Sequence, residues 1–319
     1  MTRGRTGIVL GAGGVLGAAW TIGALAALQE HDGWDPREAD VLVGTSAGSV
    51  MAAALGCGTP VETLLGHQTG ADDSLQYDHE SSSALPPLPR PGIGSHRGVL
   101  TAALRPWRVT PMAALSAVLP QGRGTLEPVG QLVDGVCEPG GWAPHPRTWV
   151  VAMDYDSGRR VVFGRDGAPR AALRDAVMAS CSIPGWYAPV RIGARRYVDG
   201  GACSPTSLDL LARMPDGERL DEVVVLSPMT STEFDSPGSV AARIERRFRR
   251  LVTKRLLREA DRVAATGTRV TLLCPGPEDL AAIGANLMDP KRREQVLETS
   301  VRTSADSLLR ARAGLAAAG

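Results

Sequence analysis

The chain predicts an α/β fold with a mainly parallel central sheet flanked by helices, and three observations carry that reading. Two strand–loop–helix units fill the first 56 residues, the second unit turns on a G-x-S-x-G sequence, and further short apolar runs alternate with helical stretches to the end. In the first unit, Thr6 to Leu10 is a short apolar strand, GAGGVLG a glycine-rich loop, and the helix runs from about Ala18 to Gln29. In the second, Asp40 to Val43 is a strand and Ser46 to Ala54 opens a helix.

The alternation breaks from His67 to Thr125. There SSSALPPLPRPGIGS reads as a loop, with short helices at Gly98–Leu104 and Pro111–Val118, so residues 67–125 form a lid-like insertion. Strands return at Thr148–Met153 and Arg160–Phe163, turned at Asp156-Ser157-Gly158. A helix at Leu173–Ser180 and a hairpin, RIGARRYVDGG, follow. Val223–Leu226 and Val270–Leu273 are two more strands. Between them Ser239–Val263 is one helix, with Ile244, Phe248, Leu251, Val252, Leu256 and Val263 on one face. A last helix runs from about Pro290 to Ala318. No repeat or linker divides the chain, so residues 1–319 read as one domain, with a catalytic core over about 6–210 completed by 211–319.

Composition excludes several function classes. An apolar fraction of 43% and a charged fraction of 22% suit a globular protein with a substantial core. A net charge of +1 and few aromatic residues argue against nucleic-acid binding. Cys57, Cys137, Cys181, Cys203 and Cys274 are scattered and odd in number, which predicts buried reduced thiols in a cytosolic protein and no zinc site. The N-terminus passes straight into a strand, leaving no room for a signal peptide, and no run reaches membrane-span length; any membrane contact is expected to be peripheral. Asp and His residues are too dispersed for a metal site, and no cofactor is expected.

The chemistry concentrates at Gly44-Thr45-Ser46-Ala47-Gly48. A serine between a buried strand and a helix, flanked by two glycines, is a nucleophile elbow, in which the backbone is strained and the hydroxyl exposed. Such a serine needs donors for the oxyanion and a base for its proton. Backbone amides of Gly13, Gly14 and Val15, with that of Ala47, are the candidate donors, each worth roughly 3–4 kcal/mol of barrier. The competing reading of Gly11, Gly13 and Gly17 as a dinucleotide-binding turn is weaker, because the third glycine is displaced and no acidic residue closes the second strand. The base is not a late histidine, since the five histidines (His31, His67, His79, His96, His145) all precede residue 146. A triad through His145 is a minor alternative. Asp199, in YVDGG with Gly200 and Gly201, is the natural candidate, although a DGG aspartate is otherwise a turn former.

Taken together, the glycine-rich loop after the first strand, G-x-S-x-G after the second and DGG about 150 residues later resemble the patatin-like phospholipase family. The MASCSIPGWYAP stretch before the hairpin extends the likeness over roughly residues 6–210. The resemblance implies a three-layer α/β/α domain and a lipid or ester acyl hydrolase. It implies Ser46 as nucleophile, Asp199 as general base, the Gly13–Gly14–Val15 backbone as oxyanion hole, and no histidine. Leu16 stands where many members carry Arg or Lys, and neutral-lipid lipases of the family carry an apolar residue there. Ala12 stands where a glycine is common. An aspartate of ordinary pKa near 3.9 is a weak base for a serine hydroxyl, so the dyad implies desolvation of Asp199 and slow turnover, faster on activated esters.

Two further features bear on substrate and partners. The 239–263 helix carries Arg243, Arg246, Arg247, Arg249, Arg250, Lys254 and Arg255 on its polar side. That side reads either as docking to an anionic membrane surface or, as the preferred and plainer reading, as a solvated helix with Glu245, Glu259 and Asp261 interspersed. Of Trp107, Trp142, Trp186 and Tyr187, the last two are the better candidates for an acyl pocket. Two alternatives to catalysis are a lipid-binding relative that has lost activity and a nucleotide-binding α/β domain.

Overall fold

The computed structural model describes residues 4–71 and 87–318. Their strands form one sheet in the order β5-β6-β3-β2-β1-β7-β8, with β4 paired to β3. The strands are β1 (Thr6–Leu10), β2 (Val41–Thr45), β3 (Thr148–Asp154), β4 (Arg160–Phe163), β5 (Val190–Ile192), β6 (Arg195–Asp199), β7 (Glu222–Leu226) and β8 (Arg269–Leu273). The run β3-β2-β1-β7-β8 is parallel, whereas β4 and β6 pair antiparallel to β3 and β5 antiparallel to β6. The sheet is therefore mixed and mostly parallel.

Central strands buried on both faces give the three-layer arrangement its two cores. Ile8 and Leu10 of β1 and Leu42 of β2 face a layer of helices α1 (Gly14–Asp32), α2 (Ala47–Gly56), α3 (Val61–Thr69), α9 (Pro277–Ile283) and α10 (Arg293–Ala318). Val9, Val41 and Val43, one residue out of phase, face Leu208, Leu211 and the inner side of α8 (Val240–Ala264). A further cluster joins α6 (Glu127–Val136) and α7 (Leu173–Cys181) to the β3 end, where Phe163 and Tyr197 meet edge-on at 5.1 Å. Helices α4 (His96–Leu104) and α5 (Pro111–Val118) lie between α3 and α6 in sequence. Their starts are set by Ser95 and Thr110, whose hydroxyls accept the Gly98 and Ala113 amides.

Several boundaries differ from the sequence reading, for local reasons. Helix α1 begins at Gly14, four residues before the expected start, because the glycine loop passes into it without a side-chain cap. Helices α3, α6 and α9 were not anticipated, being short and interrupted by Gly, Pro or polar residues. His67 thus ends a helix rather than opening a loop. Of the SSSALPPLPRPGIGS segment, residues 81–86 lie outside the described residues, and 87–95 has no regular structure. Residues 290–292 form a single 3₁₀ turn ahead of α10.

The elbow depends on close packing between α2 and the sheet. A Cβ on Gly48 would lie 2.0 Å from the Leu10 carbonyl oxygen, and one on Gly44 2.5 Å from the Gly48 carbonyl oxygen. Ser46 itself is held at φ 54°, one of two non-glycine residues in the left-handed region among those described. A Gly48→Ala chain is expected to lose at least about 3 kcal/mol of stability in urea titration or to fail to fold, since backbone must give way. Gly33→Ala, where a Cβ meets nothing within 4 Å and only the positive φ resists, is expected to cost about 1 kcal/mol.

Candidate active site

Sheet register brings the two candidate catalytic side chains to one level. Thr45 pairs with Val151 and Ala152 with Asp199, so Ser46, one residue beyond β2, stands across β3 from Asp199. Two strand spacings amount to about 10 Å between backbones, a gap the two side chains fill from opposite sides. The Ser46 hydroxyl lies near enough to the carboxylate to draw its pKa down, and the Gly201 amide donates to Asp199 Oδ1 at 2.7 Å. Both residues are deeply set, Ser46 at 5% and Asp199 at 6% exposure.

The elbow is pinned by hydroxyls that sequence patterns did not mark. Ser180 Oγ accepts the Ser46 amide at 2.8 Å and donates to the Val151 carbonyl at 2.6 Å, tying the nucleophile's backbone to β3. Ser49 Oγ donates to the Ser46 carbonyl at 2.6 Å. On the base side, the Asp199 amide donates to Ser182. Ser180 and Ser182 belong to the ASCS stretch, whose only sequence signal was its place before the hairpin.

The glycine loop lines the cavities into which Ser46 opens, and its amides are of two kinds. Those of Gly11, Ala12, Leu16 and Gly17 are taken by the carbonyls of Leu226, Pro205, Leu287 and Gly13. The amides between them, Gly13, Gly14 and Val15, donate to no acceptor among the described residues, and neither does that of Ala47. Gly14 adopts φ 61°, where its missing Cβ leaves room for Met288. Leu16 is fully buried in the core, so the side chain at this family-variable position does not reach the site.

The inner face of α8 holds this loop in place through charge. Glu259, 3% exposed, accepts Ser204 Oγ, Thr206 Oγ1 and the Leu208 amide, fixing the turn whose Pro205 carbonyl takes the Ala12 amide. Arg249, 1% exposed, donates to the Pro228 and Thr230 carbonyls, and Pro228 packs on Gly13 and Gly17. The apolar residues grouped on one face of the helix divide: Val252, Leu256 and Val263 are buried, and the other three are not. Arg246 and Arg249 are buried in ion pairs with Asp235 and Glu245, whereas Ile244 (64%) and Leu251 (66%) are exposed and Phe248 is partly so. Periodicity showed that the helix has two faces but not which one the sheet takes.

Two apolar cavities meet at Ser46. The first is lined by α1, α2, α3 and α6 together with Cys181, Ile183, Tyr187 and Met288. The second holds Asp199 and Gly13 and is walled by Met112 and Leu115 of α5, Trp186, Met229 and Phe248. Trp186 and Tyr187 are thus at the site, whereas Trp107 is exposed and Trp142 packs at Gly164. No lysine or arginine lines either cavity, and no histidine lines the second.

The histidines are accounted for individually. His145 Nε2 bonds the Ala39 carbonyl at 2.5 Å, just before β2 begins and so at the opposite end of that strand from Ser46; a triad through it is ruled out. His31 lies in the last turn of α1, His67 lines the first cavity, His96 begins α4, and His79 lies outside the described residues. Cys181, Cys203 and Cys274 are held as thiols by burial, which raises their pKa values. Among the described residues no three His, Cys, Asp or Glu side chains come together as a metal site, and no helix is long and apolar enough to cross a membrane.

A family model for the patatin-like phospholipases matches residues 8–212. The chain belongs to the patatin-like phospholipase family. It therefore carries a domain of the lipid-hydrolase type, on the three-layer fold described above. Two solved structures align with 96% of the chain. VipD from Legionella pneumophila does so at 15% identity and a TM-score of 0.45, over 67% of its own length. The type III effector protein ExoU does so at 18% identity and a TM-score of 0.37; the chain spans about half, 53%, of that protein.

Burial distinguishes Asp199 from the other carboxylates of this patatin-like domain. Asp154 and Asp209 are also desolvated, but Arg195 and Arg160 pair with them and bring them below the usual carboxylate range. Asp199 faces no cation, and burial pushes its pKa up to about 6 against the pull of the Ser46 and Gly201 hydrogen bonds. A folded pKa raised from 3.8 to about 6 means that ionised Asp199 costs stability: nothing below pH 3.8, rising to about 3 kcal/mol above pH 6. Asp199→Asn is therefore expected to unfold at higher temperature than the natural chain at about pH 7.5 and to lose that advantage at about pH 3.5, as calorimetry at the two pH values will read.

Proposed function

We propose that this chain is a serine lipid acyl hydrolase of phospholipase A or esterase type, acting through Ser46 and Asp199 by an acyl-serine intermediate. The observation that carries the reading is a strained, buried serine set between a cation-free carboxylate and a row of unengaged amides. Above pH 6 Asp199 is ionised and takes the Ser46 proton as Oγ forms its bond to the ester carbonyl carbon. The Gly13, Gly14, Val15 and Ala47 amides receive the oxyanion, at roughly 3–4 kcal/mol each. As the carbon–oxygen bond to the alcohol breaks, Asp199 returns the proton to the leaving oxygen, and water later releases the acid by the same steps. A dinucleotide at this loop would set its pyrophosphate against the Asp199 carboxylate, which opposes the nucleotide alternative.

A fluorophosphonate probe tests the reading without knowledge of the substrate. The natural chain is expected to label at one serine, with Ser46→Ala unlabelled and Asp199→Asn slowed at least about 10³-fold. Equal labelling of all three would overturn the assignment, and absence of labelling throughout would leave a lipid-binding domain without catalysis. Turnover of an activated ester is expected to rise tenfold per pH unit up to about pH 6, then level off as Asp199 completes its ionisation.

Peripheral membrane contact belongs to the same proposal, through the outer face of α8. Val240, Ile244, Phe248 and Leu251 are exposed there among Arg243, Arg247, Arg250, Lys254 and Arg258, with no exposed carboxylate over that span. Met112, Leu115 and Val118 of α5 are exposed as well, and Met112, Leu115 and Phe248 line the cavity that holds Asp199. Apolar side chains ringed by cations fit an anionic lipid surface. Co-sedimentation with phosphatidylglycerol vesicles is expected to exceed that with phosphatidylcholine, and Ile244→Glu with Leu251→Glu to lower it at least tenfold. Equal binding to both lipids would remove the charge argument; a dimer that the same changes dissociate would make this face a contact between copies.

A further inference from the structure

Ser46 opens into two cavities, and Asp199 opens into only one of them. That asymmetry sorts the two halves of an ester, on the Ser46–Asp199 reading. The proton that Asp199 takes from the nucleophile must reach the oxygen that departs, so the leaving alcohol lies on the Asp199 side, in the cavity walled by α5 and Phe248. The acyl chain then lies in the other.

The first cavity has the shape and chemistry for a chain. Gly14, Ala18 and Ile22 recur along one face of α1, and Leu126, Val129 and Leu132 along one face of α6. Both helices run inward from the elbow: α1 leaves the oxyanion loop, and α6 follows the contact of Gly124 with Tyr187. At the inner end Ile22 and Leu64 belong to the main core and Leu132 packs against it, which closes the floor. The wall includes Ser46, His67 and Gln68 but no lysine or arginine, so an ionised phosphate headgroup placed there would lack a permanent counter-charge. From Gly14 to Ile22 the helix advances eight residues, about 12 Å. An extended chain advances about 1.2 Å per bond, so the floor is reached after about ten bonds.

We infer that the cavity between α1 and α6 binds the acyl chain of a medium-chain ester, and that Ala18, Ile22, Leu64 and Leu132 set its length limit at about ten carbons. Phosphate or sugar on the leaving group stays outside, on the α5–α8 side. Chain length is read within each variant as the ratio of kcat/KM for the p-nitrophenyl decanoate and acetate esters, and for hexadecanoate and decanoate, so that losses common to all esters cancel. Ala18→Phe, which fills the channel halfway, is expected to lower the decanoate to acetate ratio at least tenfold. Leu132→Ala, which deepens it, is expected to raise the hexadecanoate to decanoate ratio at least fivefold. Ratios unmoved in both variants would overturn the assignment, as would a natural chain that prefers hexadecanoate.

This inference rests on the hydrolase reading, and a binding measurement separates the two. The Ser46→Ala chain should bind decanoate, and Ala18→Phe in that background should weaken binding at least tenfold by displacement of a fluorescent fatty acid. A natural chain that cleaves no ester yet shows this loss would refute the hydrolase reading and keep the acyl cavity. A chain that cleaves esters yet shows no loss would do the reverse.

Discussion

The first turn of α2 lies so close to the end of β1 that nothing larger than hydrogen fits between them. A Cβ on Gly48 would stand 2.0 Å from the Leu10 carbonyl oxygen. Through this contact the nucleophile turn, which belongs to the second strand–helix unit, is set against the glycine loop, which belongs to the first. The strain at Ser46, the nearness of its turn to the Gly13–Val15 loop, and the meeting of two cavities at one residue all follow. Looser packing there would keep the sheet and lose the alignment.

Around that contact the domain deploys its buried charges unequally. Glu259 and Arg249 are engaged from several sides and serve as rivets, holding the turn after Asp199 and the Pro228 segment against the loop. Asp154 and Asp209 are matched by arginines. Asp199 alone among these is left with only a hydroxyl and an amide for company. A carboxylate in that setting is held as a stronger base than its type, which is what a dyad lacking imidazole requires.

How much of this was legible in the chain varied with the physics behind each feature. The elbow, the glycine loop and the DGG turn were readable because steric exclusion demands glycine at fixed spacing, and the pattern survives without any view of the fold. Central strands were readable because burial on both faces makes them uniformly apolar. Helix α8 was placed but its faces were only half sorted, since Val252, Leu256 and Val263 face the core as grouped while Arg246, Arg249 and Glu259 join them there and Ile244 and Leu251 stay outside; a polar residue buried in a network and one in water look alike in a sequence. Ser180 was invisible for a related reason, because a hydroxyl that bridges two backbones across the sheet leaves no local signature. Helices α3, α6 and α9 were missed although α6 is longer than α5 and α7, because Gly, Pro and polar residues interrupt their apolar pattern.

The place of β1 in the strand order has a consequence for the part of the chain that the family model covers. That match ends at residue 212, yet β1 lies in the interior of the sheet, between β2 and the later strand β7, and β8 pairs beyond it. A fragment cut after 212 would keep Ser46 and Asp199 and expose a bare hydrophobic strand edge, the kind that templates aggregation. The last third of the chain is thus the sealing half of the sheet, and recombination or truncation has to respect it: the segment that carries the chemistry is not a unit that can stand in water by itself.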